Sequence, residues 1–225
     1  MFEMLKISFS VFVFLSFQYA TAAYIVVDTG HTPLHPGAIS ASGRVEYLYN
    51  LDMSNALSNV LAGNGKVLQI SADGKEIALS DRSPQAPDAD LFISIHHDSM
   101  LQEWIDAGRR REFSGFSIFV SEKNSHYVKS LSCAGAVAEQ LIAIGEKPSL
   151  YHAVPVVGEN RPLIDRRLGI HRFDDLIVLK TAPIPAILVE IGVIANPDEA
   201  LRLSKSDIIN RIAYAISLGI GACQH

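Results

Sequence analysis

Histidines and carboxylates follow directly on three apolar runs of this chain. The runs are "YIVVD", "LFISI" and "AILVE", and each has the apolar, β-branched composition of a buried strand. The residues at or just past their ends that could do chemistry are Asp28, His31, His96, His97, Asp98 and Glu190. Two imidazoles, a carboxylate and an open position for water make a catalytic zinc site. We therefore predict that these strand ends converge on zinc.

The strongest single signal in this set is Glu190. A lone histidine in an apolar setting is more often a satisfied core residue than a ligand. Glu190, however, lies inside "AILVEIGVI", where burying a carboxylate without a partner costs several kcal/mol. A nearby metal ion with its bound water would supply that partner.

This chemistry needs a scaffold that brings the strand ends together. Strand-like runs at 24–28, 66–71, 91–98, 115–121 and 185–196 alternate with stretches of helical periodicity at 46–61 and 130–145, and the chain closes on one amphipathic helix over 198–222. Strands that are apolar at nearly every residue predict a parallel sheet covered on both faces. The predicted fold class is therefore α/β, a single domain with a mostly parallel sheet flanked by helices on both faces. Sites in such sheets lie beyond the carboxyl ends of the strands.

The first 23 residues read as a cleaved signal peptide. Lys6 precedes an apolar run from Ile7 to Phe17, and small residues in an Ala-x-Ala pattern follow at 20–22. An uncleaved membrane anchor is the alternative, but the run is shorter than the roughly 20 residues that a bilayer span needs. We expect export to the periplasm or cell wall, a catalytic domain over residues 24–225, and no stable membrane span after cleavage.

Charge and cysteine content narrow the partners and the compartment. A net charge of −5 and the absence of long basic runs argue against nucleic acid as a partner. Arg109–Arg111 form a short basic patch that is typical of a solvated loop, with anion binding as the less favoured alternative. Cys133 and Cys223 would meet an oxidising compartment after export, and the sequence leaves open whether they pair or remain free thiols.

Four motifs in order carry a resemblance to a known family. They are "IVVDTGH", "HPGAISASGRVEYLYNL", "DADLFISIHHDS" and "VLKTAPIPAILVEIGVIANPDEALRL". Together they resemble the zinc-dependent N-acetylmuramoyl-L-alanine amidases called amidase 3, and they span essentially all of the chain after the signal. The resemblance implies His31, Glu46 and His96 as zinc ligands and Glu190 as the catalytic residue. Periodicity alone would make Glu46 only a helix N-terminal carboxylate.

The chain departs from the family pattern at two places. His35-Pro36-Gly37 stands where many members have Asp-Pro-Gly, and His96-His97-Asp98 stands where many have His-Ala-Asn. Because side chains alternate along a strand, we expect His97 to face away from His96 and to pack or to support the site. His35 either shapes the substrate groove or caps its loop.

Two further residues and one loop have open interpretations. Asp28 could orient a ligand histidine or accept hydrogen bonds from loop amides at the strand end. Asn196 is expected to cap the turn before Pro197 rather than to fix the loop beneath Glu190. The loop over residues 99–114, which carries Trp104, could border the site or cover it as a lid.

The resemblance implies an exported zinc hydrolase that acts on peptidoglycan. The bond cleaved would be the amide between muramic acid and L-alanine of the peptide stem, and a regulatory activator protein is left open as a partner. Two alternatives remain: a zinc peptidase acting on another cell-wall bond, and a non-catalytic wall-binding protein.

Overall fold

The computed structural model describes residues 22–224, and within them seven strands form a single sheet. The strands are β1 Tyr24–Thr29, β2 Lys66–Ile70, β3 Leu91–Asp98, β4 Ser117–Val120, β5 Leu163–Asp165, β6 Ile170–Arg172 and β7 Ala186–Val193. Their order across the sheet is β2-β1-β3-β7-β4-β6-β5. The pairs β2–β1, β1–β3, β3–β7 and β4–β6 are parallel. The predicted α/β class with a mostly parallel sheet is confirmed.

Helices cover both faces of this sheet, but unevenly. They are α1 Glu46–Ala62, α2 Leu79–Arg82, α3 Gln102–Asp106, α4 Tyr127–Ala143, α5 Ile177–Lys180, α6 Pro197–Leu203 and α7 Ser206–Cys223. The long helices α1, α4 and α7 pack with Val27, Ile93 and Val189 in the main core on one face. The short α5 and the segment after α2 cover Val26, Phe92 and Leu188 on the other face. The second face is therefore thinly covered.

The strand order places a crevice beside β1. The chain leaves β1 through α1 to β2 on one side, and later returns to β3 on the other side. Connections that diverge in this way leave a gap above the carboxyl ends of the two central strands. His31 follows β1 and His96 lies near the end of β3, so these two of the three predicted ligands lie at that gap.

Two features of the chain differ from the predicted elements. The C-terminal stretch forms two helices, α6 and α7, because Lys205 between them is extended, with a φ of −85° and a ψ of 130°. β4 runs antiparallel to β7, and β5 pairs antiparallel with β6. Apolar periodicity does not encode strand direction, and strands as short as β5 and β6 leave little pattern.

The predicted cap at Asn196 is confirmed. Its side-chain oxygen accepts a hydrogen bond from the Asp198 amide at 2.9 Å, at the start of α6. The predicted signal segment lies outside the described residues, except for Ala22 and Ala23. Among the helices of residues 22–224, none has both the length and the apolar character needed to cross a membrane.

A disulfide joins two of the three long helices of the main core. Cys133 in α4 is bonded to Cys223, the last residue of α7, across a sequence separation of 90 residues. Of the two alternatives that the sequence left open, the paired state is the one observed. The bond fixes the last turn of α7 against α4.

Replacing both cysteines, Cys133→Ala with Cys223→Ala, should lower the free energy of unfolding by about 2–4 kcal/mol, because the crosslink restricts the unfolded chain across a long loop. Urea denaturation of the oxidised protein and of the double variant measures the difference. Reductant should lower the urea midpoint of the wild-type protein and leave that of the double variant unchanged. Equal midpoints for the two oxidised samples would contradict this prediction.

Candidate metal centre

The three predicted ligands meet at one point. His31 Nε2 lies 3.1 Å from Glu46 Oε2, and His96 Nδ1 lies 3.1 Å from Glu46 Oε1. One ligand atom from each of the three residues lies within 4.8 Å of the others. The two imidazole rings meet edge to face, with centroids 5.0 Å apart. Residues 15 and 50 positions apart from Glu46 are thus brought to a single carboxylate.

The turn after β1 aims the His31 side chain. His31 has a φ of 66°, a left-handed conformation that is rare for a residue with a side chain. The Gly30 amide donates to the Ile95 carbonyl at 3.0 Å, which ties the turn to β3. Strained backbone of this kind concentrates at functional sites, and here it turns the imidazole towards Glu46.

Two glycines leave room for the ligand side chains. A Cβ at Gly30 would lie 2.4 Å from His96 Nε2, and one at Gly37 would lie 2.4 Å from Glu46 Oε2. Gly37 also has a φ of 75°, which a residue with a side chain rarely adopts. The backbone therefore approaches the ligands more closely than any other residue type allows.

A hydrogen-bond network from α1 holds Glu46 in place. Asn50, one turn after Glu46, donates from Nδ2 to Glu46 Oε1 at 3.2 Å and to the Gly30 carbonyl at 3.1 Å. The Asn50 oxygen accepts from His97 Nδ1 at 2.8 Å. Sequence reasoning missed Asn50, although its i+4 position after Glu46 places it on the same helix face.

Electrostatics keep this carboxylate ionised. Burial raises the pKa of Glu46, but hydrogen bonds from His31 and His96 outweigh burial and hold the pKa below its ordinary value. Burial lowers the pKa of His31, while its hydrogen bond to Glu46 raises it, and the net shift is upward. One ionised carboxylate beside two imidazoles is the donor set that hydrolytic zinc sites use. The residues present thus fit a zinc ion.

Glu190 lies beside this set on the adjacent strand. It is the register partner of His96 in the β3–β7 pair. Its Oε2 is buried, and no donor from the described residues reaches it. Burial raises the pKa of Glu190 well above its ordinary value, and the charges of Asp98 and Glu46 raise it further. A buried carboxylate oxygen without a donor, next to a metal-type ligand set, indicates that a further group belongs at this site.

His97 faces away from the metal centre, as predicted from strand alternation. It is fully buried against α1, where its ring lies 5.4 Å from that of Tyr49. Burial lowers its pKa to about 3, so the ring is neutral. Through Asn50 it supports Glu46, and it lies outside the cluster of predicted ligands.

Asp28 is engaged by other partners than those predicted. Neither a ligand histidine nor a loop amide contacts it in the described structure; its carboxylate accepts from Arg82 Nη1 at 3.0 Å and from the Ser94 hydroxyl at 2.6 Å. Asp28 and Arg82 are both buried. The prediction was wrong because the partner, Arg82, lies in α2, 54 positions along the chain, and the strand motif gives no indication of so distant a residue.

A cleft of about 400 Å³ opens beside His31 and His96. Its walls are largely apolar and include Ile77, Leu79, Leu176, Ile177, Val178 and Leu188. His35 lies at the rim, exposed, with Nδ1 3.3 Å from Glu76 Oε2. Glu76 also accepts a hydrogen bond from Thr32. His35 therefore lines this cleft and is not among the clustered ligands. Its part in shaping a substrate groove stays a prediction.

The loop over residues 99–114 packs onto the body of the protein. Trp104 is buried and stacks on Phe113 at a centroid distance of 4.5 Å. Each arginine of the basic patch has a partner: Arg109 binds Glu112, Arg110 donates to the Ala195 carbonyl, and Arg111 binds Asp198. The patch thus serves to fix the loop, and carboxylates match the charges of Arg109 and Arg111.

Known proteins resemble this chain over nearly its whole length. A family model described as N-acetylmuramoyl-L-alanine amidase matches residues 25–222. A putative N-acetylmuramoyl-L-alanine amidase of Buchnera aphidicola subsp. Baizongia pistaciae is 27% identical over 211 residues, which cover 87% of this chain and 94% of that protein.

Solved structures share the fold. The N-acetylmuramoyl-L-alanine amidase from Clostridium difficile 630 superimposes with a TM-score of 0.71 at 23% identity, covering 90% of this chain and 97% of that one. The CwlD amidase from Clostridioides difficile, solved in complex with the GerS lipoprotein, gives a TM-score of 0.68 at 20% identity and covers 89% and 98% of the two chains.

The Gly30→Ala variant should bind zinc at least about tenfold more weakly, because the new methyl group would overlap the His96 ring and displace it. The matched control is Gly221→Ala in α7, where a Cβ meets no atom within 4 Å. Titration of each metal-free protein with zinc against a chromophoric chelator gives the affinities. If Gly30→Ala bound zinc as tightly as the control, His96 would not be a ligand held by this turn.

Proposed function

The chain belongs to the N-acetylmuramoyl-L-alanine amidase family, and we propose that it is an exported zinc hydrolase that cleaves the amide between N-acetylmuramic acid and L-alanine of the peptide stem in peptidoglycan. The observation that carries the proposal is the convergence of His31, Glu46 and His96 beside Glu190, whose Oε2 has no donor among the described residues. Family membership supplies the substrate class, and this geometry supplies the means of hydrolysis.

His31, Glu46 and His96 are the residues that would hold the zinc ion. Zinc bound by such a set supplies a Lewis acid that activates water and polarises the carbonyl of the scissile amide. Asn50 fixes the orientation of Glu46 by a hydrogen bond to Oε1, and neutral His97 fixes Asn50 by a hydrogen bond to its side-chain oxygen. The ligands are therefore held by packing and hydrogen bonds before any metal arrives.

Glu190 is proposed as the general base and then the general acid. Its carboxylate takes a proton from the attacking water and delivers it to the nitrogen of the departing L-alanine. Burial raises its pKa, which makes it a better proton acceptor. An oxygen without a donor is free to accept that proton, whereas a salt-bridged carboxylate would not be.

The cleft beside the ligands suits this substrate. Its apolar walls can receive the methyl groups of the lactyl ether and of L-alanine, which flank the scissile amide. His35 and Glu76 at the rim supply polar contacts to the rest of the stem or to the sugar. His35 stands where many family members have aspartate, so these contacts are where the substrate preference of this chain would differ.

Export and a protein partner belong to the same proposal. The signal-like segment at residues 1–23 and the disulfide between α4 and α7 both fit an oxidising compartment outside the cytoplasm. A regulatory activator protein is proposed because one structural neighbour was solved in complex with a lipoprotein. If the purified chain digests peptidoglycan at full rate alone, an activator is unnecessary.

Digestion of purified peptidoglycan tests the proposal directly. The zinc-loaded protein should release peptide stems with a free L-alanine amine, detected by mass spectrometry of the soluble fragments, and a chelator should abolish the release. Stems clipped between amino acids would instead favour a zinc peptidase. Binding to the polymer without metal-dependent release would favour a wall-binding protein.

Replacing Glu190 with glutamine should reduce turnover by at least about a thousandfold, because the amide cannot accept the proton from water. Zinc content, measured by atomic absorption, should remain one ion per chain. Glu103→Gln, at an exposed position in α3, is the matched control and should keep full activity. Loss of zinc from Glu190→Gln would assign Glu190 to metal binding and contradict its role as base.

A further inference from the structure

A buried histidine outside the metal centre lies between two carboxylates. His152 belongs to the short turn Tyr151–Ala153 between α4 and β5. Its Nε2 lies 2.6 Å from Asp98 Oδ2, and its Nδ1 lies 2.8 Å from Glu159 Oε2. The exposed fractions of the three side chains are 10% for His152, 13% for Asp98 and 9% for Glu159. The three residues thus form a closed ionic bridge.

The geometry of the bridge requires a charged ring. A neutral imidazole carries one N–H, whereas the imidazolium carries two. Both nitrogens of His152 face carboxylate oxygens, so both must donate for the two contacts to be hydrogen bonds. Burial lowers the pKa of His152, but Asp98 and Glu159 outweigh burial and raise it to about 9. His152 is therefore a cation at neutral pH.

The groups packed around His152 do not compete for this role. His171 lies 5.7 Å away between ring centroids, and burial lowers its pKa to about 4, so it is neutral. The ring of Phe119 packs edge to face on His152 at 4.9 Å. The bridge also differs from a metal site, because its two carboxylates lie on opposite nitrogens of the ring and do not converge on one point.

The bridge ends next to the proposed catalytic carboxylate. Asp98 closes β3, two residues after His96, and Glu190 lies on the neighbouring strand β7. The two carboxylates are close enough for the charge of Asp98 to act on Glu190. The Tyr151 hydroxyl donates to the Ser99 carbonyl at 2.5 Å, which fastens the turn to the chain just past Asp98.

We propose that His152 is a positioning residue for the hydrolysis: it bridges Asp98 and Glu159, neutralises the carboxylate that closes β3 two residues after His96, and anchors residues 151–159 beside the site. The inference rests on the proposed function. An unpaired Asp98 would be a second anionic acceptor at the metal centre, able to compete with Glu190 for water and with the ligands for the metal. Paired with His152, it leaves Glu190 as the free acceptor.

The His152→Gln variant should lower kcat by about tenfold or more on a soluble muramoyl-peptide while KM stays within about twofold, because the change acts on the reacting groups rather than on substrate binding. Adding Asp98→Asn to this variant should recover most of the lost kcat, since it removes the uncompensated charge. His126→Gln, at an exposed position, is the matched control. A double variant no faster than His152→Gln, or a loss confined to KM, would overturn the proposal.

A spectroscopic measurement keeps the test independent of variant folding. In the wild-type protein near pH 7, the imidazole ¹⁵N shifts of His152 should show both nitrogens protonated, while His97 and His171 remain neutral. A neutral His152 would overturn the bridge even if the His152→Gln variant failed to fold. The activity of the wild-type protein is measured first. An inactive wild type counts against the proposed function, and the ¹⁵N shifts of His152 test the bridge in either case.

Discussion

The ionised carboxylate of Glu46 is the constraint on which the site depends. It is 5% exposed, and a buried charge is tolerated only when donors surround it. His31, His96, Asn50 and the Ala38 amide supply those donors from a turn, a strand, a helix and a loop. Four separate segments must therefore reach one point. This crowding explains why His31 has a left-handed backbone conformation and why residues 30 and 37 are glycines. Two of these donors, His31 and His96, are also the groups that, together with Glu46, would bind a metal.

The pairing of the remaining carboxylates separates structural roles from chemical ones. Asp28 is matched by Arg82, and Asp98 is matched by His152. Glu190, on the same edge of the sheet, has one buried oxygen that no donor from the described residues reaches. Leaving a buried acceptor without a donor costs about 1–3 kcal/mol in folding free energy. Because Asp28 and Asp98 have partners and the Glu190 oxygen has none, this cost falls on the residue proposed to transfer the proton.

Sequence reasoning found the parts of the site that lie in strand patterns and missed those that depend on distant packing. His31, His96 and Glu190 follow apolar runs, so their convergence could be predicted from the rule for parallel sheets. Glu46 came from the family motif, because a carboxylate at a helix start is common without a ligand role. Arg82 and His152 were missed because each lies 54 positions from the aspartate that it matches. Arg82 ends the four-residue helix α2 and His152 lies in a short turn, and segments of that length show no apolar periodicity. The direction of β4 was missed for a related reason, since strand direction depends on the path of the connections.

The uneven covering of the sheet joins the scaffold to the site. The long helices α1, α4 and α7 and the disulfide stabilise one face, where β1, β3 and β7 contribute alternate side chains to the main core. The opposite side chains of the same strands, including His96 and Glu190, lie on the face that only short elements cover. A single run of residues thus provides both the rigid core and the open site, because strand alternation sends neighbours to opposite faces. His96 and His97 show the consequence directly: one imidazole faces the predicted ligand cluster, and the next is buried against α1, where it holds the Glu46 carboxylate through Asn50.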